Sequence, residues 1–370
     1  MPSRLAEHDR KAQAPDHKVT LLVLTRKYPP VTGGMERVSY ELTTHLAARV
    51  ELVLVKFSKK SDGWVPLVYL LFFLRTVLVM AQRRVDAIYL TDAVLAPLGV
   101  VLRVLYRAKV FVIVHGLDIT FANPVFQHIV PPAVAKLDKV ICVSSATRRA
   151  CLQRGVPAHK TIVIPNGAND YFAGLSREES RSRLGAALGM ELGDEFLILS
   201  VGRLVERKGF HWFVERVMPE VLRKRPNARY FVVGGGPLAD RMRRLTSQRG
   251  LEDHVFVFSE VDNRLLGLFY NSADVFVAPN ITVAGDMEGF GIVLLEAGSC
   301  DLPVVGSDIE GISEVLSGFG HRVPEGDTVG FADAVLGGTR SRRTRDYVIE
   351  NYSWPRVAEK HFDIIAREVS

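Results

Sequence analysis

The segment from Phe196 to Gly209, FLILSVGRLVERKG, sets the architecture. Phe196 to Val201 is an apolar run of strand length, and a glycine turn comes directly off its end. That turn is basic. Arg203 offers a rigid fork for phosphate oxygens and Lys208 a mobile point charge, so together they could neutralise a diphosphate. Read alone, the segment is equally well a solvated basic turn. Further strand-like runs follow at Ala228 to Val233, Val255 to Phe258, Val275 to Ala278 and Pro303 to Gly306, separated by helical patterns. Upstream, the runs are Lys18 to Leu24, Val50 to Lys56, Ala87 to Leu90, Val110 to Val114, Lys139 to Val143 and Thr161 to Ile164, with a helix-like stretch from Arg37 to Ala48. Such alternation predicts an α/β protein with parallel sheets covered by helices in both halves.

A chain of 370 residues is too long for one ordinary domain and fits two of similar size. The stretch from Asp170 to Glu195 turns polar, and Ser176, Arg177, Glu178 and Glu179 resemble a helix start, so the boundary falls near residue 170. The halves are then 19–170 and 171–350, with residues 351–370 forming an amphipathic C-terminal helix. Hydrophobic content of 48% and aromatic content of 9% describe a globular chain. Residues 1–18 are polar, lack the apolar run of a secretory signal, and read as a loose tail on a cytoplasmic protein. Cys142, Cys151 and Cys300 show no paired spacing and no neighbouring histidines, which implies neither a disulfide framework nor a zinc site. The net charge of +6 suits a protein that handles phosphates or sits near anionic lipid. No nucleic-acid motif accompanies it.

Trp64 to Met80 is the most apolar stretch, but Arg75 interrupts it, so it falls short of the ~20 residues that span a bilayer. It reads as a helix packed on the first sheet. A helix lying in the membrane interface is the other reading, kept open by Lys56, Lys59, Lys60, Arg83 and Arg84 around it.

Two more segments carry chemistry. Tyr28 to Glu36 holds Gly33 and Gly34 between the first strand and first helix, where bare backbone N–H groups and a helix N-terminus can approach an anion. Asp286-Met287-Glu288-Gly289-Phe290-Gly291-Ile292-Val293-Leu294-Leu295-Glu296 places two glycines at the entry to an apolar helix, with one carboxylate before it and one near its second turn. Two acids so spaced can accept hydrogen bonds from different hydroxyls of one extended ligand, a sugar and a ribose being natural candidates. Gly234-Gly235-Gly236-Pro237 reads as a tight turn, because Ala239 stands where a dinucleotide fingerprint needs its third glycine.

In this order, Gly33-Gly34, Pro165-Asn166-Gly167, Gly202-Arg203 with Lys208-Gly209, Gly234 to Pro237 and Glu288-x7-Glu296 resemble glycosyltransferase family 4 over nearly the whole chain. The resemblance implies a GT-B fold, two Rossmann-like domains facing across a cleft, with an N-terminal acceptor domain, a C-terminal donor domain and a last helix returning to the first. It implies a donor site of Gly33, Gly34, Arg203, Lys208, Glu288, Gly289, Phe290, Gly291, Ile292 and Glu296, with Glu288 on the sugar and Glu296 on the ribose. His115, in Val114-His115-Gly116-Leu117-Asp118, matches the histidine at the reaction centre, and Asn166 matches a cleft or acceptor position.

The implied activity is a retaining hexosyltransferase with His115, Arg203, Lys208 and Glu288 as catalytic residues and no metal or cofactor. The substrates would be a GDP-, UDP- or ADP-linked sugar and a glycan or lipid-linked acceptor in polysaccharide, lipopolysaccharide or glycolipid synthesis, with peripheral contact to anionic membrane at the inner face of the cytoplasmic membrane. No Asp-x-Asp pair is present; Asp286-x-Glu288 is the nearest match and reads as the lead-in to the helix. Ser259, Glu310 and Asn169 depart from the family pattern, which touches the base pocket around Val257 to Glu260 and leaves the diphosphate clamp intact. A non-catalytic nucleotide-sugar-binding subunit, a phosphorylase and an epimerase remain alternative readings, and an oxidoreductase is disfavoured by the failed fingerprint.

Overall fold

The computed structural model describes residues 18–31, 33–56, 65–168, 170–259 and 261–369. The first half contains β1 (Thr20–Thr25), α1 (Gly34–Leu46), β2 (Glu51–Lys56), α2 (Val65–Gln82), β3 (Ala87–Leu90), α3 (Ala96–Tyr106), β4 (Lys109–Val114), α4 (Leu117–Thr120), α5 (Pro124–Lys136), β5 (Lys139–Cys142), α6 (Ser145–Gln153) and β6 (Thr161–Val163). All its strands are parallel, in the order β2-β1-β3-β4-β5-β6. Successive side chains of a strand point to opposite faces. In β1, Leu21 and Val23 join the core under α1, whereas Leu22 and Leu24 join the core under α2, α3 and α5. Burial on both faces is the reason the central strands read as unbroken apolar runs.

After α7 (Arg177–Leu188), the second half runs β7 (Phe196–Val201), α8 (Phe210–Trp212), α9 (Met218–Lys224), β8 (Ala228–Val233), α10 (Ala239–Gln248), β9 (Val255–Phe258), α11 (Asn263–Ser272), β10 (Val275–Ala278), α12 (Ile292–Ser299), β11 (Val304–Ser307), α13 (Ser313–Leu316), β12 (His321–Val323) and α14 (Thr328–Gly337). Its strands are also parallel, in the order β12-β11-β10-β7-β8-β9. Ser176 caps α7 as its sequence suggests, its hydroxyl accepting from the Glu179 N–H at 3.2 Å. The expected strand at 303–306 lies one residue later. β12 was not anticipated, because two of its three residues are exposed and polar and leave no apolar run to read.

The chain closes with α15 (Arg342–Tyr352) and α16 (Trp354–Val369). The expected C-terminal helix is α16, starting two residues after Tyr352, and α15 is a further helix ahead of it; Ala168 N–H donates to the Tyr352 carbonyl at 2.6 Å at the joint. α16 lies against the first half, with Tyr89 Oη 2.5 Å from His361 Nδ1 and Lys139 Nζ 3.0 Å from Glu368. One apolar cluster runs from Leu21 and Tyr89 of the first sheet through Val357 and Ile365 of α16 to Leu197 and Phe276 of the second sheet.

α2 packs on the first sheet through Phe72, Phe73 and Val79, the first of the two readings of that segment. Among the described residues no helix is long and apolar enough to cross a membrane. Trp64, Lys59, Lys60 and the expected N-terminal tail up to His17 lie outside the described residues, as do Asn169 and Glu260.

Candidate active site

The second sheet starts at β7 and runs first to one side and then to the other, so its order reverses between β7 and β10. Loops leaving the carboxyl ends of two such strands diverge and open a crevice. The Gly202 to Lys208 turn leaves β7 there, and Asn280 follows β10. Lys208 is buried, and its Nζ lies 2.5 Å from Glu288 Oε2, to which Asn280 Nδ2 also donates at 3.1 Å. Arg207 Nε stands 3.8 Å from the same oxygen and 3.4 Å from Asp286 Oδ1. Arg207 Nε and Asp286 Oδ1 are buried without a hydrogen bond among the described residues, so their attraction is one of charge and not of aligned bonding. Burial by itself would raise the Glu288 pKa. Lys208, then Arg207, outweigh it and hold the carboxyl below its ordinary value, so Glu288 is ionised. Arg203 is exposed and has no side-chain partner among the described residues, which leaves its guanidinium available at the rim.

The first sheet contributes the loop after β4. Asp118 Oδ1 accepts from the N–H groups of His115 and Gly116, each at 2.8 Å, and its Oδ2 accepts from Ala93 N–H at 3.0 Å. These bonds fix the loop. Burial is the main cause of the raised Asp118 pKa, with His115 acting against it. His115 Nε2 donates to the Thr91 carbonyl at 2.9 Å. A carbonyl only accepts, so Nε2 carries the hydrogen, and Nδ1 is the nitrogen left for other work.

The two halves meet backbone to backbone at this loop. A Cβ on Gly289 would lie 1.6 Å from the His115 carbonyl oxygen, and one on Gly116, whose φ is +118°, would lie 3.0 Å from Gly289 Cα. Only bare backbone fits. The glycine after Glu288 therefore sets that carboxylate beside the end of β4. Gly291, with φ +74°, turns the chain into α12, while the Phe290 ring packs inward toward Tyr352, leaving its backbone as the part near the crevice.

Gly33 and Gly34 face the start of α12, where a Cβ on Gly34 would come 3.7 Å from Ile292 Cγ2. Gly33 is extended, and a Cβ there would meet only the carboxylate end of the Glu36 side chain, 2.3 Å from its Oε2. Three residues on, Arg37 reaches across the halves to Glu296 Oε1 and donates to Asn263 Oδ1 at 2.9 Å, lying 5.2 Å from the centre of the Phe172 ring. Tyr270 Oη donates to Glu296 Oε2 at 2.8 Å. Both oxygens of Glu296 are thus engaged.

Of the residues expected in the site, the fold brings His115 beside Gly289, Gly34 beside Ile292 and Lys208 against Glu288, with Arg203 exposed on the same turn as Lys208. Asn166 stands apart: it is buried after β6, beside Gly167, against which Trp354 packs, and no hydrogen bond joins it to the others among the described residues. Asp118, Asn280, Tyr270 and Arg37 were not assigned. Asp118 had a readable signal, a carboxylate placed to cap the turn after His115. Arg37 and Tyr270 had none, because their partners are distant in sequence.

The description "Glycosyl transferase 4-like domain" matches residues 4–167, and "Glycosyl transferases group 1" matches residues 195–338. The GDP-mannose-dependent alpha-(1-6)-phosphatidylinositol monomannoside mannosyltransferase of Mycolicibacterium smegmatis is 30% identical over 276 residues, 71% of each chain. An uncharacterized glycosyltransferase of Methanocaldococcus jannaschii is 32% identical over 239 residues, 61% of this chain and 59% of that one. The match thus spans less than two thirds of that relative's length. The structure of HepE from Anabaena in complex with UDP and glucose has a TM-score of 0.76 at 17% identity, covering 95% of this chain and 100% of that chain. Two parallel α/β halves joined by a returning C-terminal helix define a GT-B protein. The chain belongs to glycosyltransferase family 4.

Proposed function

We propose that this protein transfers a hexose from a nucleotide diphosphate to an acceptor hydroxyl, with retention of anomeric configuration and without a metal. The observation that carries the reading is the buried Lys208–Glu288 pair at the switch point of the second sheet, held one residue from the His115 loop by the Gly116–Gly289 crossing. Residues 171–350 would hold the donor and residues 19–170 the acceptor. Lys208 and Arg203 neutralise the diphosphate as its oxygen leaves the anomeric carbon, Glu288 orients sugar hydroxyls, and Glu296 exchanges its present partners for ribose hydroxyls. The backbone of Gly33, Gly34 and Gly289 to Ile292 lines the path of the phosphates, and His115 borders the reacting carbon.

In the proposed step the acceptor oxygen bonds to the anomeric carbon on the face the diphosphate leaves. The acceptor proton passes to a phosphate oxygen, so no protein base is required. Orientation and preorganised positive charge then supply most of the acceleration. Asp286 and Glu288 already face Arg207 and Lys208, which supports a cationic clamp there in place of a carboxylate-held metal. The mycolicibacterial relative's dependence on GDP-mannose favours GDP-mannose among GDP-, UDP- and ADP-linked donors. Its phosphatidylinositol monomannoside acceptor favours a lipid-linked one, handled at the inner face of the cytoplasmic membrane.

The test is to melt the purified protein with GDP, UDP and ADP, then assay the sugar of the stabilising nucleotide for transfer to a phosphatidylinositol mannoside, with EDTA and without. Stabilisation by one nucleotide and EDTA-resistant transfer with retention are expected. Binding without transfer to any glycan or lipid acceptor would favour a non-catalytic subunit, and EDTA-sensitive transfer restored by Mn²⁺ would overturn the metal-free mechanism.

A further inference from the structure

Ten of the fourteen exposed large apolar side chains among the described residues fall between Leu70 and Ile129. They are not scattered. α2, α3 and α5 are successive crossovers of one parallel sheet, and their inner sides share the core that holds Leu22, Ile88 and Val112. The three helices therefore lie as a layer over one face of the sheet, with α3 packed on α5. Their outer side carries Leu74, Leu78, Val104, Leu105, Val125 and Ile129, of which Val104 is 71% and Val125 67% exposed. In α2 the split is helical: Phe72, Phe73 and Thr76 turn inward, while Leu70, Leu74 and Leu78 repeat every fourth residue on the outside.

The charge on this layer has one sign. None of the three helices contains an Asp or a Glu, whereas α2 carries Arg75, α3 carries Arg103, and α5 carries Lys136. Arg107 extends the pattern just beyond the end of α3, while Arg83 and Arg84, after α2, lie 3.0 Å from Glu51 and 3.9 Å from Asp86. Arg103 is paired with Asp138 at 2.9 Å, but Arg75, Arg107 and Lys136 have no carboxylate partner among the described residues. An apolar surface of this extent with cations set in it fits a bilayer face that is hydrocarbon beneath and anionic at the headgroups. A second copy would fit poorly, because a two-fold contact would set these cations against one another.

We propose that the outer face of α2, α3 and α5 is the surface by which this protein docks on an anionic membrane. The apolar character continues to the cleft through Phe121, whose neighbour Ala122 meets Gly285 of the second half. Docked on this face, the protein holds its cleft mouth beside the lipid. That orientation would let a lipid-borne acceptor enter without leaving the bilayer, a consequence that rests on the transferase reading; the docking itself does not.

The experiment sediments the full chain with vesicles of phosphatidylcholine and of phosphatidylcholine mixed with phosphatidylglycerol, with no sugar donor or acceptor present. Binding to the mixed vesicles that weakens with salt is expected. The pair Leu74→Glu with Leu78→Glu should lower the partition coefficient by about 10-fold or more. Arg75→Gln should lower it by about five-fold, with melting temperatures unchanged because all three positions are exposed. Val104→Glu on the neighbouring helix should act in the same direction. Absence of binding, binding indifferent to these substitutions, or a dimer in sedimentation equilibrium that the same substitutions dissolve would each overturn the proposal. Nucleotide binding, measured separately, reports on the transferase reading and is unaffected by either result.

Discussion

The residue on which the proposed chemistry turns is Lys208. Its ammonium is buried against Glu288, and such a pair is costly to break because the survivor is left as an uncompensated charge. Under the proposed mechanism, Lys208→Ala or Arg203→Ala lowers turnover by about 100-fold or more, the loss expected for one donor to a developing anion. Near-normal rates in both variants would remove them from the reaction. Glu288→Gln should reduce stability at neutral pH by about 3 kcal/mol in urea unfolding, since Lys208 keeps its charge and loses its partner. The pH dependence has a definite sign. The folded carboxyl titrates below its unfolded value, so its stabilisation is full above the ordinary glutamate range and disappears as pH falls through the depressed value. Glu288→Gln should therefore be less acid-sensitive than the parent below that range.

At the level of elements, two junctions hold the halves in register. The first is the glycine crossing between the end of β4 and the loop before α12. Gly289→Ala would drive a methyl into the His115 carbonyl, with an overpacking cost of about 1–3 kcal/mol, and transfer should fall because Glu288 moves with its neighbour. Wild-type melting and turnover in that variant would mean the crossing is not needed. The second junction is α16 on the first sheet. Burial, with His115 and Lys360 adding to it, pushes the His361 pKa down to about 3, and its neutral ring sits 2.5 Å from Tyr89 Oη. Unfolded histidine titrates near 6.5, so below that pH the unfolded chain takes up a proton the native one refuses. Stability should drop as pH falls from the mid-sixes toward pH 3, and His361→Gln should flatten that slope in denaturant titrations.

For the whole molecule, the shared apolar cluster makes the two halves one cooperative body. It runs through both sheets and α16, so unfolding one half would expose the other's core. A single calorimetric transition is expected, and a nucleotide bound between the halves at 100 times its Kd should raise the stability of the entire chain by about 2.7 kcal/mol. Two transitions, with only one shifted by nucleotide, would show that the ligand engages one half alone.

The sequence determined the strands, the two-part α/β plan and the order of the glycine and charge motifs, because these depend on local facts. All eleven anticipated strands lie within two residues of their expected ends, because each is an apolar run of strand length, the central ones being buried on both faces. The short strand β12 escaped because His321 and Arg322 are exposed and leave no apolar run to read. Tertiary structure alone decided which residues face one another. Arg37 and Glu296 are 259 positions apart, and Gly289 is explained only by a carbonyl in the other half. Nothing near either residue in the chain encodes that meeting, because close approach between distant segments arises only when both sheets are in place and share a core.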